Sequence, residues 1–340
     1  MLPSSVAVGL EKPSYAAVFL QCIAFVGSST IPSICSTPER SVTLYAVALA
    51  LVVIWALRIY KGFGNTVFSS GSLLLFVLIL VSTFASVVLL HRMTCMHLEH
   101  RIDANPSAWR IVEQGLATHR IMRNKKYDIF LPPQSRQSKS YAVGFLMLPG
   151  ALVEHNAYAA VLSKLSDTGI LVVIQNCEPM RLASESFQST EQSLKAIIHQ
   201  IKEQHGISAE KWSIGGHSMG GYTAMVIAKK TDYYASLVLY GVNKNYEIEK
   251  TAIRTLAITA SNDGLQHSPM ADISTFESWD KPEYEGRLHH VVIEGGNHSG
   301  FGDYPRQTFP LPDGERTILL EEQHRQIVEV TAKFLMPKRD

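Results

Sequence analysis

Trp212-Ser213-Ile214-Gly215-Gly216-His217-Ser218-Met219-Gly220-Gly221 is the stretch on which the reading of this chain turns. Its first residues read as a short strand, and Tyr222 to Lys230 behind it reads as a helix. Between them Gly216, Ser218 and Gly220 form G-x-S-x-G. In that setting Ser218 sits on a strand-to-helix turn too tight for side chains at Gly216 or Gly220. The turn lifts the serine hydroxyl above the sheet, near the positive end of the following helix. A phosphate-binding loop needs G-x-x-x-x-G-K-[ST] or G-x-G-x-x-G, and neither is present. The residues therefore point to Ser218 as a nucleophile.

Outward from this turn, strands alternate with helices. Val143–Leu148 is a continuous apolar run broken by Pro149-Gly150, and Gly169–Ile174 is a second. Ala235–Tyr240, Arg254–Ala260 and His289–Glu294 supply three more strands. Helices are expected over Tyr158–Leu165, Thr190–His205 and Glu321–Phe334, the middle one on the spacing of Leu194, Ile197, Ile198 and Ile201. Strands that are apolar on both faces and alternate with helices predict an α/β fold, a mostly parallel sheet flanked by helices.

Four segments resemble the alpha/beta-hydrolase superfamily, and its compact, lid-poor family 5 branch in particular. They are LPGALVEHNAY (148–158), GGHSMGG (215–221), ITASNDG (258–264) and EGGNHSGFGDY (294–304). The resemblance implies a chain order of nucleophile, acid, histidine. Asp263, just after the strand Arg254–Ala260, is then the acid, with Asp272 a weaker alternative. His298, on the loop after the last strand, is the base. A serine hydroxyl needs such a base, and the base needs a carboxylate to fix its tautomer. His289 and His290 read as structural, and His217 reads as facing the sheet's packing. Met219 N–H is expected as one oxyanion donor. Since Pro149 has no N–H, the other is expected from Ala151, with Leu152 second. Gly150 would let the backbone approach the substrate. Asp303 and Tyr304 read as support for the histidine loop. Only Gly241–Ile253 separates the strands where a lid usually enters, so an open pocket is expected. The implied reaction needs no metal and no cofactor.

The amino-terminal end has a different composition. Residues 1–92 hold seven charged residues, against 54 in the remaining 248. The mean hydropathy of +0.06 averages these two regimes. Ser72–Leu90 is 19 residues without a charge or a polar stripe, and Val42–Leu57 is 16, continued by Arg58, Tyr60 and Lys61 as interfacial anchors. Residues 1–92 are thus expected to be a membrane anchor, with spans at 42–60 and 72–90 and a third candidate at 15–34. Residues 93–126 read as a connector, with a helix over Ser107–Gln114, and 127–340 as the catalytic domain. Arg92, Arg101, Arg110, Lys125 and Lys126 follow the last span and favour a cytosolic catalytic domain.

Composition excludes other classes. Net charge is +1, with 31 basic and 30 acidic residues, which argues against nucleic acid as a partner. Four cysteines in 340 residues exclude a disulfide scaffold. His91, Cys95, His97, Glu99 and His100 are metal-ligand types but lack regular spacing and a distant second pair, so they read as a linker. The sequence thus predicts a membrane-anchored serine hydrolase acting on small-molecule or lipid carboxylic esters through an acyl-enzyme. The rivals are an acyltransferase on the same residues, a non-catalytic binding protein on this fold, and a channel or transporter subunit.

Overall fold

The computed structural model describes residues 82–83, 85–86, 99–133, 139–186, 188–242, 252–265 and 286–336. The chain divides into two compact units, Met1–Glu99 and His100–Asp340. The expected spans at 15–34, 42–60 and 72–90 lie outside the described residues, apart from four helical positions at 82, 83, 85 and 86. Among the described residues no helix is long and apolar enough to cross a membrane.

The second unit is built on an eight-stranded sheet. Its strands are β1 (Ile121–Arg123), β2 (Tyr127–Phe130), β3 (Ser140–Leu148), β4 (Leu171–Gln175), β5 (Ser208–His217), β6 (Ser236–Tyr240), β7 (Arg254–Ala260) and β8 (Leu288–Ile293). Their order is β1-β2-β4-β3-β5-β6-β7-β8. The pairs β1–β2 and β2–β4 are antiparallel; β4, β3, β5, β6, β7 and β8 run parallel.

The apolar strands fill both faces. Val143, Phe145 and Met147 of β3 point into one core with α1 (Pro106–Ala117), α2 (Ala159–Asp167) and α5 (Leu320–Leu335). Leu146 and Leu148 point into the other, with α3 (Glu191–His205) and α4 (Met219–Ala228). The same alternation places Val238 and Tyr240 of β6 in the first core and Leu237 and Leu239 in the second. Helix α3 shows why these residues form this element. Thr190 caps it by accepting from Ser193 N at 3.1 Å, Gly206 ends it at φ 67°, and Leu194, Ile197, Ile198 and Ile201 make its buried stripe.

Two features differ from the sequence reading. The stretch read as a connector carries, besides the expected helix, here α1, the strand β1, and Ala108, Val112 and Ile121 are part of the first core. Strand β5 extends from Ser208 rather than Trp212, because its register with β3 runs from Ser140–Ser208 through to Leu148–Gly216. That long parallel pairing fixes how far the nucleophile turn stands from the turn after β3.

Replacing the fully buried Ile201 with Ala removes a methylene-rich wedge between α3 and the sheet and should cost about 2–5 kcal/mol. Removing the Thr190 cap by Thr190→Ala should cost about 1 kcal/mol. Thermal unfolding of the two variants should rank them in that order, and equal midpoints would contradict the packing described.

Candidate active site

Parallel register brings the ends of β3, β5, β7 and β8 to one edge of the sheet. Leu148 pairs with Gly216, His217 with Tyr240, Tyr240 with Ile258, and Ala260 with Ile293. The residues that follow each strand end are the ones singled out by sequence: Ala151, Ser218, Asp263 and His298. In open α/β sheets this carboxyl edge is where ligands bind.

Ser218 has φ 53° and ψ −121°, a backbone state that a non-glycine residue holds only under constraint. Its N–H donates to Tyr240 O at 2.9 Å, and α4 begins at the next residue. A Cβ at Gly216 would lie 2.5 Å from Gly220 C, and one at Gly220 would lie 2.4 Å from both Leu148 O and Pro149 O. Both contacts are with backbone, so Gly216 is required by the turn itself and Gly220 by the close approach of the end of β3.

Asp263 is completely buried and His298 is 2% exposed. His298 Nδ1 lies 2.7 Å from Asp263 Oδ2, and Asp263 Oδ1 accepts from Leu265 N at 2.9 Å. Burial works against a charge on His298, but the Asp263 carboxylate, with Asp313 beyond it, raises its pKa above the ordinary imidazole value. His298 Nε2 is buried with no hydrogen-bond partner among the described residues. The ring rests on the corner after β6, where a Cβ on Gly241 would meet His298 Nδ1 at 3.1 Å. Ser218 N is anchored to the carbonyl of the preceding residue, Tyr240, so serine and histidine share that corner.

Around the turn after β3, Leu152 N–H donates to Arg181 O at 2.7 Å and is spent. Ala151 N–H and Met219 N–H have no acceptor among the described residues. Of the two donors weighed from sequence, Ala151 is the one left free. The surroundings of Gly150 are themselves close. A Cβ there would crowd His217 Nδ1 at 2.9 Å and Tyr158 Oη at 3.0 Å.

His217 is not simply packed into the sheet. Its ring centroid is 4.4 Å from that of His298, and its Nδ1 lies 2.9 Å from Tyr158 Oη. Gly150 N–H donates to the same hydroxyl oxygen at 2.9 Å. The hydroxyl and Nδ1 thus share one hydrogen bond, its direction set by the His217 tautomer. Burial, then the charge of His298, hold the His217 pKa well below the imidazole value.

Sequence reading missed Asp313. This buried carboxylate accepts from five donors: Gly264 N at 3.1 Å, His298 N at 3.2 Å, Ser299 N and Ser299 Oγ at 2.7 Å each, and Gly314 N at 2.8 Å. It ties the loop of Asp263 to the loop of His298. Its only sequence signal is the turn pair Asp313-Gly314, which occurs in ordinary loops. Asp303 supports the same region, accepting from Asn105 Nδ2 and Ser107 Oγ. His290 Nε2 pairs with Thr259 Oγ1 at 2.9 Å and His289 meets the Phe334 ring edge-on, away from the site. Asp272 and the residues 243–251 of the short lid position lie outside the described residues, as do His91, Cys95 and His97. No group of three metal-ligating side chains occurs among the described residues.

The fold and site define an α/β protein with a serine at a strained strand-to-helix turn and a buried histidine–carboxylate pair beside it. The sequence profile of the alpha/beta hydrolase family matches residues 144–324, more than half of the chain, and the chain belongs to that family. A search of the curated proteins finds no match. Similar solved structures include TT1662 from Thermus thermophilus, 14% identical, covering 64% of this chain and 99% of that one at a TM-score of 0.42. An S-formylglutathione hydrolase from Agrobacterium tumefaciens is also 14% identical, covering 64% of this chain and 94% of that one at a TM-score of 0.42.

The two carboxylates predict a measurable order. Asp263→Asn removes the charge in direct contact with His298, and Asp313→Asn removes a more distant one. The imidazole pKa of His298, followed by NMR titration of its ring proton, should fall in both variants and fall further in Asp263→Asn. An unchanged pKa in Asp263→Asn would contradict the pairing.

Proposed function

We propose that the protein is a membrane-anchored serine hydrolase that cleaves carboxylic esters through an acyl-enzyme, with Ser218 as nucleophile, His298 as general base and acid, and Asp263 as its orienting carboxylate. The observation that carries this reading is the buried, unpartnered His298 Nε2, whose Nδ1 is held by Asp263, beside a serine kept in left-handed backbone.

The chemistry follows from that arrangement. His298 Nε2 accepts the Ser218 proton as Oγ bonds to the ester carbonyl carbon, and the carbonyl π electrons move to its oxygen. Met219 N–H and Ala151 N–H, the two donors without acceptors, face the negative charge that forms. The tetrahedral species collapses, the bond to the alcohol oxygen breaks, and His298 gives its proton to that oxygen. Water then repeats the sequence on the acyl-serine: His298 takes its proton, the carboxylic acid leaves, and Ser218 regains its hydrogen. Asp263 keeps the Nδ1 proton of His298 in place throughout.

The anchor rests on the uncharged runs 42–57 and 72–90, and the cytosolic side on the basic residues that follow them. The substrate class extends to lipid esters at the bilayer surface. The short segment at the lid position favours short or bulky acyl groups over long chains.

The test is a fluorophosphonate serine probe applied to membranes containing the full-length chain. Wild type should label and Ser218→Ala should not, and the labelled band should resist alkaline carbonate extraction. Ester hydrolysis should fall on the order of 10⁴-fold or more in Ser218→Ala. Equal labelling of the variant would overturn the assignment of the nucleophile. Release by carbonate would overturn the anchor. A second expectation concerns pH. His298 must be neutral to take the serine proton, and its pKa is raised above 6.5. kcat/KM should therefore climb with pH to a plateau, with its half-maximal point above 6.5 rather than below it.

A further inference from the structure

The turn that presents Ala151 N–H is followed at once by a residue in an unfavourable backbone state. Leu152 has φ 65°, and Arg181, whose carbonyl accepts the Leu152 N–H at 2.7 Å, has φ 50°. Neither is glycine, and a Cβ disfavours this region. Such residues persist where their surroundings over-determine them. What holds both is a segment outside the stretch that matches the family.

Ile102 lies against this pair through its backbone, while its side chain packs against the first core. Its N–H donates to Leu152 O at 2.9 Å, its carbonyl accepts from Glu154 N at 2.9 Å, and it makes a parallel bridge with Val153. The same carbonyl accepts from Arg181 Nη1 at 2.9 Å. Ala104 N–H donates to the buried Glu154 Oε2 at 2.9 Å. Arg181 is itself 7% exposed and pairs with Glu178 Oε1 at 2.7 Å and Asp103 Oδ1 at 2.8 Å. Farther along, Asn105 N–H donates to Asp303 O at 2.9 Å, and Asp303 N–H donates to Ala157 O at 2.7 Å. Residues 101–105 thus run as a strap from the turn after β3 to the loop that follows His298.

We propose that this strap, through Ile102 and its partner Arg181, positions the oxyanion-binding turn for the reaction assigned above. The inference rests on that reading of the site. Ile102 and Arg181 are positioning residues, since neither is placed against the reacting atoms. Their effect is on the direction of Ala151 N–H. The donor lies one residue before Leu152, and its direction depends on the left-handed state that the strap enforces. An oxyanion donor acts only on charge that develops during the reaction, so misdirecting it slows acylation without weakening ground-state binding.

Two variants of the full-length protein separate this role from a purely structural one. Arg181→Ala removes the guanidinium between Ile102 O, Asp103 and Glu178. Ile102→Pro removes the N–H given to Leu152. The measurement is the acylation rate per competent site, with sites counted by fluorophosphonate titration, alongside KM for a chromogenic ester and the thermal midpoint. Acylation per site should fall about tenfold to a hundredfold in each variant, with KM within about twofold of wild type. Arg181→Lys keeps the charge but not the fork and should fall between Arg181→Ala and wild type. A lowered midpoint with fewer titratable sites but an unchanged rate per site would overturn the proposal and leave the strap a structural element. If Ile102→Pro does not fold, the Arg181 pair decides the question alone. Failure of the wild-type chain to label would instead defeat the hydrolase reading, an outcome distinct from a strap without effect.

Discussion

The hydrogen bond between His298 Nδ1 and Asp263 Oδ2, 2.7 Å long and closed off from solvent, is the contact around which the site is arranged. Its two halves come from loops after different strands, 35 residues apart in sequence. Two ionisable groups held this deep are costly unless both are paired and their remaining polar atoms are satisfied. The sheet supplies the first condition. Parallel pairing of β7 with β8 puts Ala260 opposite Ile293, so the two loops leave the same edge side by side. Asp313 supplies the second, because its carboxylate takes backbone N–H groups from both loops and from its own turn. Among the described residues, His298 Nε2 is the side-chain polar atom of Asp263, His298 and Asp313 left without a partner, the one the proposed proton transfer uses.

How much of this could be read from the sequence depends on whether a feature is local. The serine turn is largely local: Gly216 is set by the steric demand of Gly220 within the same turn, and only Gly220 answers to a distant neighbour, the backbone of Leu148 and Pro149. Strands β4 and β6 are local in another sense, since burial on both faces makes each a continuous apolar run. Asp263 and His298 are singled out by the chain order that the resemblance implies, and the structure puts them in contact at 2.7 Å. The edge strands β1 and β2 have only three and four residues, too short for any period, and exist because their partners do. Asp313 was invisible for a different reason. It acts on backbone N–H groups, which every residue but proline carries, so its partners leave no trace in side-chain identity. Ile102 escaped notice on similar grounds, since its N–H and C=O make the contacts to Leu152, Glu154 and Arg181.

The two adjacent histidines show how environment, rather than residue type, assigns a role. His217 and His298 stand with ring centroids 4.4 Å apart and are both buried. Burial lowers the pKa of each. Only His298 has carboxylates behind it, and there the balance reverses. His217 instead faces the Tyr158 hydroxyl, and burial favours its neutral ring. A protonated His217 would place a second positive charge beside the imidazolium that His298 must become during proton transfer. Keeping His217 neutral removes that repulsion and turns its ring into a spacer between the Gly150 turn and the nucleophile turn. The glycine at 150 follows from this: a side chain there would strike the tyrosine and histidine whose contact links the two turns. The His298–Asp263 pair and the turn after β3 are therefore linked through the ring of His217, a residue that looked from sequence like a passive neighbour of the serine.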